Sequence, residues 1–200
     1  MCIRDMFYIE TTMRRPLAAG RRALLIAAFM PLAAAVWAEP MVTIDNMEDL
    51  AAWHTGGQSE ARLSAERTIV NEGRQALRFD VKINHRADET IEGQKYPKGW
   101  PRVERNPIPP LDLSAVGGIA FDVYTLSSRT AMPGSSLHII LRNAGGGGWS
   151  SNLGQLPIGE WKHFRLGFSG FPRDSIEHWQ FFLSESDYAD GDEASFIIDS

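Results

Sequence analysis

The sequence predicts an all-β protein whose fold is an antiparallel β-sandwich of the jelly-roll type. Short segments in which apolar and polar residues alternate recur along the chain, and long segments with an apolar period of 3.6 residues are missing. The connections between these segments are rich in turn-forming residues, and the chain has 18 glycines and 11 prolines. Hydrophobic residues make up 44% of the chain, which is enough to fill a core. Short strands joined by such connections are typical of a sandwich.

Residues 1–38 have the pattern of a secretory signal peptide. Four arginines between positions 14 and 22 form a positive region, residues 23–35 are almost wholly apolar, and the small residue Ala38 offers a cleavage site. A transmembrane anchor is the alternative, but the apolar run is shorter than the roughly 20 residues that a spanning helix needs. Residues 1–12 fit the pattern poorly and Met13 is a better start, which indicates an artefact of gene calling or sequencing.

Removal of this leader changes both the charge and the cysteine content. Residues 39–200 hold 15 basic and 23 acidic residues, a net charge of −8, and the single cysteine, Cys2, is lost. An acidic domain is not expected to bind nucleic acid, and a domain without cysteine has no disulfide to stabilise it. We therefore expect a secreted or periplasmic bacterial protein, without membrane contact after cleavage, that depends on its core or on a metal.

Alternation predicts the positions of seven strands. In the clearest segment every second residue is apolar, so one side faces a core and the other faces solvent. A capping Asp45 or Asn46 precedes a short helical turn predicted at 47–53. The predicted strands are 41–45, 76–83, 118–124, 137–142, 161–166, 179–183 and 194–198.

These strands are expected to form one domain over residues 39–200. No repeat, low-complexity tract or linker divides the region. The last predicted strand ends close to Ser200. We therefore expect the domain to be truncated at its final strand, with a further domain to follow in the natural protein.

Six segments occur in an order that resembles a known family. They are 44–48 (Ile-Asp-Asn-Met-Glu), 72–80, 96–102 (Tyr-Pro-Lys-Gly-Trp-Pro-Arg), 111–121, 159–166 and 195–199 (Ser-Phe-Ile-Ile-Asp). Together they resemble the galactose-binding-like jelly rolls that serve as carbohydrate-binding modules beside bacterial glycoside hydrolases and polysaccharide lyases. The resemblance implies a non-catalytic module that binds polysaccharide or oligosaccharide and targets a covalently linked enzyme domain. No segment identifies the sugar.

Aromatic residues in loops are the first candidates for sugar contact. Sugars present apolar C–H faces and rings of hydroxyl groups, so proteins bind them with exposed aromatic rings and planar polar side chains. Trp100 lies between Gly99 and Pro101, and Trp149 follows four glycines. A large aromatic residue in a loop either fixes the loop or faces a ligand. We expect Trp100, with Tyr96 or Trp149, to supply the stacking surface.

Outward-facing polar residues are the second group of candidates. Alternation directs Tyr124, His138 and Arg142 away from the core, and Arg102 follows Trp100 closely. These positions are also compatible with an ordinary solvated sheet face. As binding residues, the arginines and the histidine would bond hydroxyl groups or the carboxylate of an acidic sugar. The full set of candidate ligand-binding residues is Tyr96, Trp100, Arg102, Tyr124, His138, Arg142 and Trp149.

The resemblance also implies a structural Ca²⁺ that joins the first strand region to the last. Calcium takes about six to eight oxygen ligands. Asp45, Glu48 and Asp199 would supply carboxylates, and backbone carbonyls around 71–73 would complete the shell. The alternative is that Asp45 caps the following turn and that Asp199 only ends a strand.

Catalytic motifs are missing from the sequence. It contains no Gly-x-Ser-x-Gly and no His-Glu-x-x-His, and its five histidines lack metal-ligand spacing. We therefore predict that the domain is not an enzyme. One alternative is a small jelly-roll glycosidase or lyase, and an interaction or assembly domain that binds no sugar is another. The residues that could act on a uronate in a lyase are Tyr124, His138, Arg142 and Gln180.

Overall fold

Ten β-strands form two sheets in the computed structural model, which describes residues 43–56, 60–85 and 100–200. The strands are β1 (Trp53–Gly56), β2 (Ala61–Glu66), β3 (Ala76–Lys82), β4 (Arg102–Arg105), β5 (Gly118–Ser127), β6 (His138–Asn143), β7 (Gly148–Asn152), β8 (Trp161–Gly167), β9 (Ile176–Phe182) and β10 (Glu193–Asp199). A single 3-10 turn, Glu185–Asp187, follows β9. Within the described ranges, no helix is long and apolar enough to cross a bilayer.

Each sheet has five strands, and all paired neighbours are antiparallel. Sheet A has the order β1-β4-β9-β6-β7, and sheet B has the order β2-β3-β10-β5-β8. The last strand, β10, lies inside sheet B and pairs with β3 and β5. This architecture confirms the predicted antiparallel β-sandwich.

Six of the seven predicted strands are confirmed, and the structure corrects the first one. Residues 43–45 are not in a strand, and the helix predicted at 47–53 is absent. Instead, the side chains of Asp45, Asn46 and Asp49 each accept a hydrogen bond from the backbone N–H two residues further on, at 2.8, 3.2 and 2.9 Å. These Asx turns compete with regular structure and keep the segment irregular up to β1.

Four observed strands were not predicted, because their sequences do not alternate clearly. β1, β2 and β7 are sheet edges, where both sides of the strand are partly exposed and an apolar pattern is weak. β4 lies inside sheet A, but three of its four residues are charged. Because these charged residues interrupt the apolar pattern, the sequence did not predict this central strand, which carries part of the candidate site described below.

The core between the sheets fixes which side chains point outward. Val103, Phe181 and Ile139 are paired across β4, β9 and β6 and are fully buried. The Phe181 ring contacts Phe121 of sheet B edge to face, with ring centres 5.4 Å apart. Because paired residues project to the same side of a sheet, the residues between these positions form the opposite surface of sheet A.

Candidate functional site

The outer face of sheet A brings most of the candidate residues together. Its side chains alternate with the core positions along each strand and are aligned in rows across the sheet by the strand register. Trp100 precedes β4, and Asn106 follows it directly. The other members of the outer face of sheet A are His54, Arg102, Glu104, His138, Ile140, Arg142, Ser150, Asn152, Glu177, His178, Gln180 and Phe182.

Three rings stack at one end of this face. The indole of Trp100 lies 5.2 Å from the ring of Phe182 at an interplanar angle of 8°, and the imidazole of His138 lies 4.8 Å from that ring at 17°. They meet because β4 and β6 begin where β9 ends, so that Arg102, Phe182 and His138 are paired. Phe182 is buried, whereas 53% of Trp100 is exposed. The exposed indole is a flat apolar surface on which a ring-shaped ligand can stack.

His138 contributes to this surface as a neutral ring. Burial lowers its pKa from the usual value of 6.5, and the Asp187 carboxylate opposes this shift in part. Its Nε2 atom lies 2.8 Å from the hydroxyl oxygen of Ser135. At neutral pH the imidazole is therefore uncharged, which favours its stacking on Phe182.

A polar network around Glu104 covers the middle of the face. The Glu104 carboxylate accepts a 2.6 Å hydrogen bond from Nε of Arg102 and lies 3.3 Å from Nε2 of His54 and 3.6 Å from Nε2 of His178. The same nitrogen of His178 lies 2.8 Å from the Gln180 side-chain oxygen. The network holds several planar polar groups in fixed orientations, which suits the recognition of hydroxyl groups.

The other end of the face is a shallow depression of about 610 Å³. Its polar lining residues are Asn106, Arg142, Glu177 and His178, and its apolar lining residues are Pro107, Ile108 and Pro110. Nδ1 of His178 lies 2.8 Å from the Asn106 side-chain oxygen. Ile108 is 95% exposed. This end therefore combines apolar residues with hydrogen-bond donors and one carboxylate, that of Glu177.

Four of the predicted ligand-binding residues share the outer face of sheet A: Trp100, Arg102, His138 and Arg142. Tyr96 lies outside the described residues. Arg102 points its guanidinium at Glu104, so it orders the network and has part of its hydrogen-bonding capacity already used. That these residues contact sugar stays a prediction.

Tyr124 and Trp149 lie elsewhere. Tyr124 is in β5, on the outer face of sheet B, with its ring 5.5 Å from that of Trp161. Trp149 pairs with the core residue Leu141, so its side chain points inward and packs edge to face on Phe168 at 5.1 Å. The sequence could not reveal this separation, because alternation identifies the outward side of a strand but not the sheet to which it belongs. The separation also divides the set proposed for a lyase, since Tyr124 is on the other sheet.

Phe182, Glu104 and the two histidines 54 and 178 were missed as site residues. The signal for Phe182 was present in the sequence, because Gln180 was assigned outward and alternation places Phe182 on the same side. Glu104 lies in the charged strand β4, which showed no alternation. His54 lies in the short edge strand β1, which was not predicted.

The outer face of sheet B differs because a cluster of its charged groups is internally paired. Arg78 donates hydrogen bonds to Glu66 at 2.9 Å and to Asp80 at 2.9 Å, and Ser195 donates to Asp80 at 2.5 Å. Four contacts, three from backbone N–H groups and one from Arg78, lower the pKa of Glu66 to about 2. A depression of about 670 Å³ lies over part of this cluster. Such internally paired charges have little capacity left for a ligand.

The carboxylates predicted to hold calcium occupy two places. Glu48 accepts a hydrogen bond from the backbone N–H of Arg74 at 2.5 Å, and Asp199 accepts from those of Asn71 and Glu72 at 2.8 and 3.0 Å. Both therefore contact the turn at 71–74, where carbonyl ligands were expected. Asp45 bonds elsewhere, to the indole of Trp53 and to the Arg105 side chain. Within the described ranges, no three His, Cys, Asp or Glu side chains are grouped as metal ligands.

Calcium binding stays a prediction. The candidate ligands that remain are Glu48, Asp199 and the backbone carbonyls of the 71–74 turn, which both carboxylates contact. If the ion binds there, a Ca²⁺ concentration of about 100 times its dissociation constant adds about 2.7 kcal/mol of stability, which raises the melting temperature by about 5–10 °C. Thermal unfolding with Ca²⁺, with Mg²⁺ and with EDTA measures this effect. Glu48→Gln should remove the response to Ca²⁺. Identical melting temperatures in Ca²⁺ and EDTA would exclude the site.

Glu185, in the 3-10 turn after β9, makes the stability depend on pH. Its side chain is buried, one carboxylate oxygen has no hydrogen-bond partner, and burial, with the nearby Glu60 carboxylate, raises its pKa from 4.5 to about 7. Between these two pH values the folded protein keeps a proton that the unfolded chain releases. The free energy of unfolding therefore falls as pH rises from about 4.5 to about 7.

Glu185→Gln keeps the shape of the side chain and removes its titration. We expect the wild-type melting temperature, relative to that of the variant, to fall as pH rises through this window and then to level off. Thermal unfolding of both proteins from pH 4 to 8 gives the difference. A constant difference across this range would show that Glu185 ionises normally.

Comparison with known proteins adds information on the fold. No protein-family model matches the chain, and no curated protein matches it. Similar solved structures include an exo-beta-agarase (10% identity, 78% of this chain, 23% of that chain, TM-score 0.50) and a second agarase (12% identity, 80% and 24%, TM-score 0.47). Another is a xylan-binding domain from CBM 22 (13% identity, 78% and 88%, TM-score 0.43). The chain spans about a quarter of the length of the two agarases. It therefore shares its β-sandwich fold with one part of the exo-beta-agarase.

Proposed function

We propose that this domain binds a polysaccharide along the outer face of sheet A without cleaving it. One observation carries the proposal. Among the described residues, Trp100 and Ile108 are the exposed large hydrophobic side chains, and they lie at the two ends of this same face. An exposed indole offers a flat apolar surface on which the C–H face of a sugar ring can stack.

The spacing of the two ends suits an extended ligand. His138, which stacks on the same Phe182 ring as Trp100, and Arg142, in the depression, are four residues apart on β6. At about 3.4 Å per residue this corresponds to about 14 Å. Between these two ends lie the planar side chains of Glu104 and Gln180, which contact His178 at the depression. A chain of sugar rings could stack on Trp100 and bond its hydroxyl groups to this polar strip.

Binding without catalysis is favoured by the state of the carboxylates. Hydrolysis of a glycosidic bond commonly uses a pair of carboxyl groups that flank it. On the described part of this face the acidic side chains are Glu104 and Glu177, and the oxygens of Glu104 are engaged by Arg102, His54 and His178. A carboxylate held in this way orients its neighbours and is poorly placed to exchange protons with a ligand.

We also propose that the domain directs an attached enzyme to its substrate in an exported bacterial protein. The signal-like pattern of residues 1–38 supports export. The similar fold fills 23% of the exo-beta-agarase chain, so in that protein it is one part of a longer polypeptide. Attachment to an enzyme is tested separately, by sequencing the gene beyond the codon for Ser200.

The binding proposal is tested by retention on a panel of soluble and insoluble polysaccharides, with product analysis of the same samples. Retention without new reducing or unsaturated ends is expected. New ends would overturn the non-catalytic assignment and favour the glycosidase or lyase. Neither retention nor new ends would contradict sugar binding and favour an assembly domain.

A further inference from the structure

The Arg142 side chain has no hydrogen-bond or ion-pair partner among the described residues. On the outer face of sheet A, Arg102 forms an ion pair with Glu104. The exposed Arg142 guanidinium on β6, by contrast, makes no hydrogen bond or ion pair with any described residue. Its guanidinium therefore keeps its five N–H donors, which match the two oxygens of an anionic group.

The surroundings of Arg142 form a site rather than an isolated surface charge. It lines the depression of about 610 Å³ together with His178, Asn106 and the apolar wall of Pro107 and Ile108. The side-chain oxygen of Asn106 faces Nδ1 of His178, which leaves the Asn106 amide N–H groups as donors. The free donors of the depression are therefore the Arg142 guanidinium and the Asn106 amide, and such donors are complemented by carboxylate or sulfate oxygens.

We propose that this end of the face binds a negatively charged group of the polysaccharide, a uronate carboxylate or a sulfate ester, through Arg142. The inference rests on the proposed function and narrows it to acidic polysaccharides. The chain of residues 39–200 has a net charge of −8, so attraction of such a ligand must come from this local site and not from the whole domain.

Glu177 is the one acidic side chain among the described residues that line the same depression. It forms no ion pair with Arg142 and is exposed. A like charge near a bound anion weakens binding by Coulomb repulsion. Glu177→Gln should therefore strengthen binding of an acidic polysaccharide and leave a neutral one unchanged.

The test compares polysaccharides that differ only in charge. Polygalacturonate is paired with its methyl ester, alginate with its propylene glycol ester, and a sulfated galactan with the same galactan after desulfation. Dissociation constants come from affinity electrophoresis or calorimetry at low and high salt. We expect the wild-type protein to bind an acidic member about tenfold or more tightly than its neutral partner, with the preference reduced at high salt.

Two arginine variants separate local recognition from net charge. Arg142→Gln should lose the preference for the acidic member. Arg165→Gln removes the same charge from the outer face of sheet B, where Arg165 is likewise exposed and has no partner among the described residues, and should keep the preference. The ester pairs report on carboxylate recognition and the galactan pair reports on sulfate recognition.

The outcomes distinguish the two proposals. Equal binding of acidic and neutral members, or an unchanged preference in Arg142→Gln, would overturn the acidic ligand while sugar binding stands. Equal loss of the preference in Arg165→Gln would show that only net charge matters. Failure to bind any member would overturn both proposals.

Discussion

Trp100→Ala is expected to abolish measurable polysaccharide binding while the domain stays folded. Slightly more than half of the Trp100 surface is exposed, and the ring is held flat on Phe182. Removal of a central aromatic contact of this type costs about 2 kcal/mol or more of binding free energy, which is about 30-fold or more in the dissociation constant. The stacking on Phe182 contributes only about 1 kcal/mol to folding.

The matched control for this variant is Trp161→Ala. Trp161 is also partly exposed and also packs on an aromatic neighbour, Tyr124, but it lies on the outer face of sheet B. We expect the Trp161→Ala variant to bind polysaccharide as the wild-type protein does. Binding isotherms and thermal unfolding of both variants decide the matter. Intact binding in Trp100→Ala would contradict the stacking role, and a large loss of stability would make Trp100 a structural residue.

Asp45→Ala is expected to produce the largest loss of stability of the changes considered. Its carboxylate is almost fully buried and accepts hydrogen bonds from the Met47 backbone at 2.8 Å and the Trp53 indole at 2.9 Å, and it pairs with Arg105. The variant would leave the partly buried Arg105 guanidinium without its counter-charge, at a cost of about 3–5 kcal/mol. The melting temperature should fall by about 10 °C.

Asp49→Ala is the control for the turn itself. Asp49 lies in the same segment, is exposed, and accepts one hydrogen bond from the Ala51 backbone at 2.9 Å. Its loss should cost about 1 kcal/mol. Denaturant unfolding of the two variants gives the difference in the free energy of unfolding. Equal losses would show that Asp45 acts as a turn residue and that its pairing with Arg105 adds nothing.

The sequence predicted most strands inside the two sheets, but it did not predict three of the edge strands or the structure of the first segment. Strands such as β3 and β5 are buried on one side, so burial requires an apolar residue at every second position. The edge strands carry no such requirement. The first segment failed for a different reason, because Asp45 was read as a helix cap although its carboxylate forms an Asx turn and an ion pair.

The site was predicted in part for similar physical reasons. Exposed residues in loops or at alternating positions, such as Trp100 and Arg142, are visible in the sequence. Their partners depend on the order of strands in the sheet, which joins β4, β9 and β6 from distant parts of the chain. The stacking of Trp100 on Phe182 and the network around Glu104 therefore required the structure.

The central claim, sugar binding on the outer face of sheet A, is tested most directly by fluorine NMR of protein labelled with 5-fluorotryptophan. Residues 39–200 contain five tryptophans, Trp53, Trp100, Trp149, Trp161 and Trp179. Titration with an oligosaccharide of a retained polysaccharide should shift the resonance of Trp100, assigned with Trp100→Phe, and leave that of Trp161 in place. A shift of Trp161 with Trp100 unmoved would contradict the claim and place the ligand on sheet B.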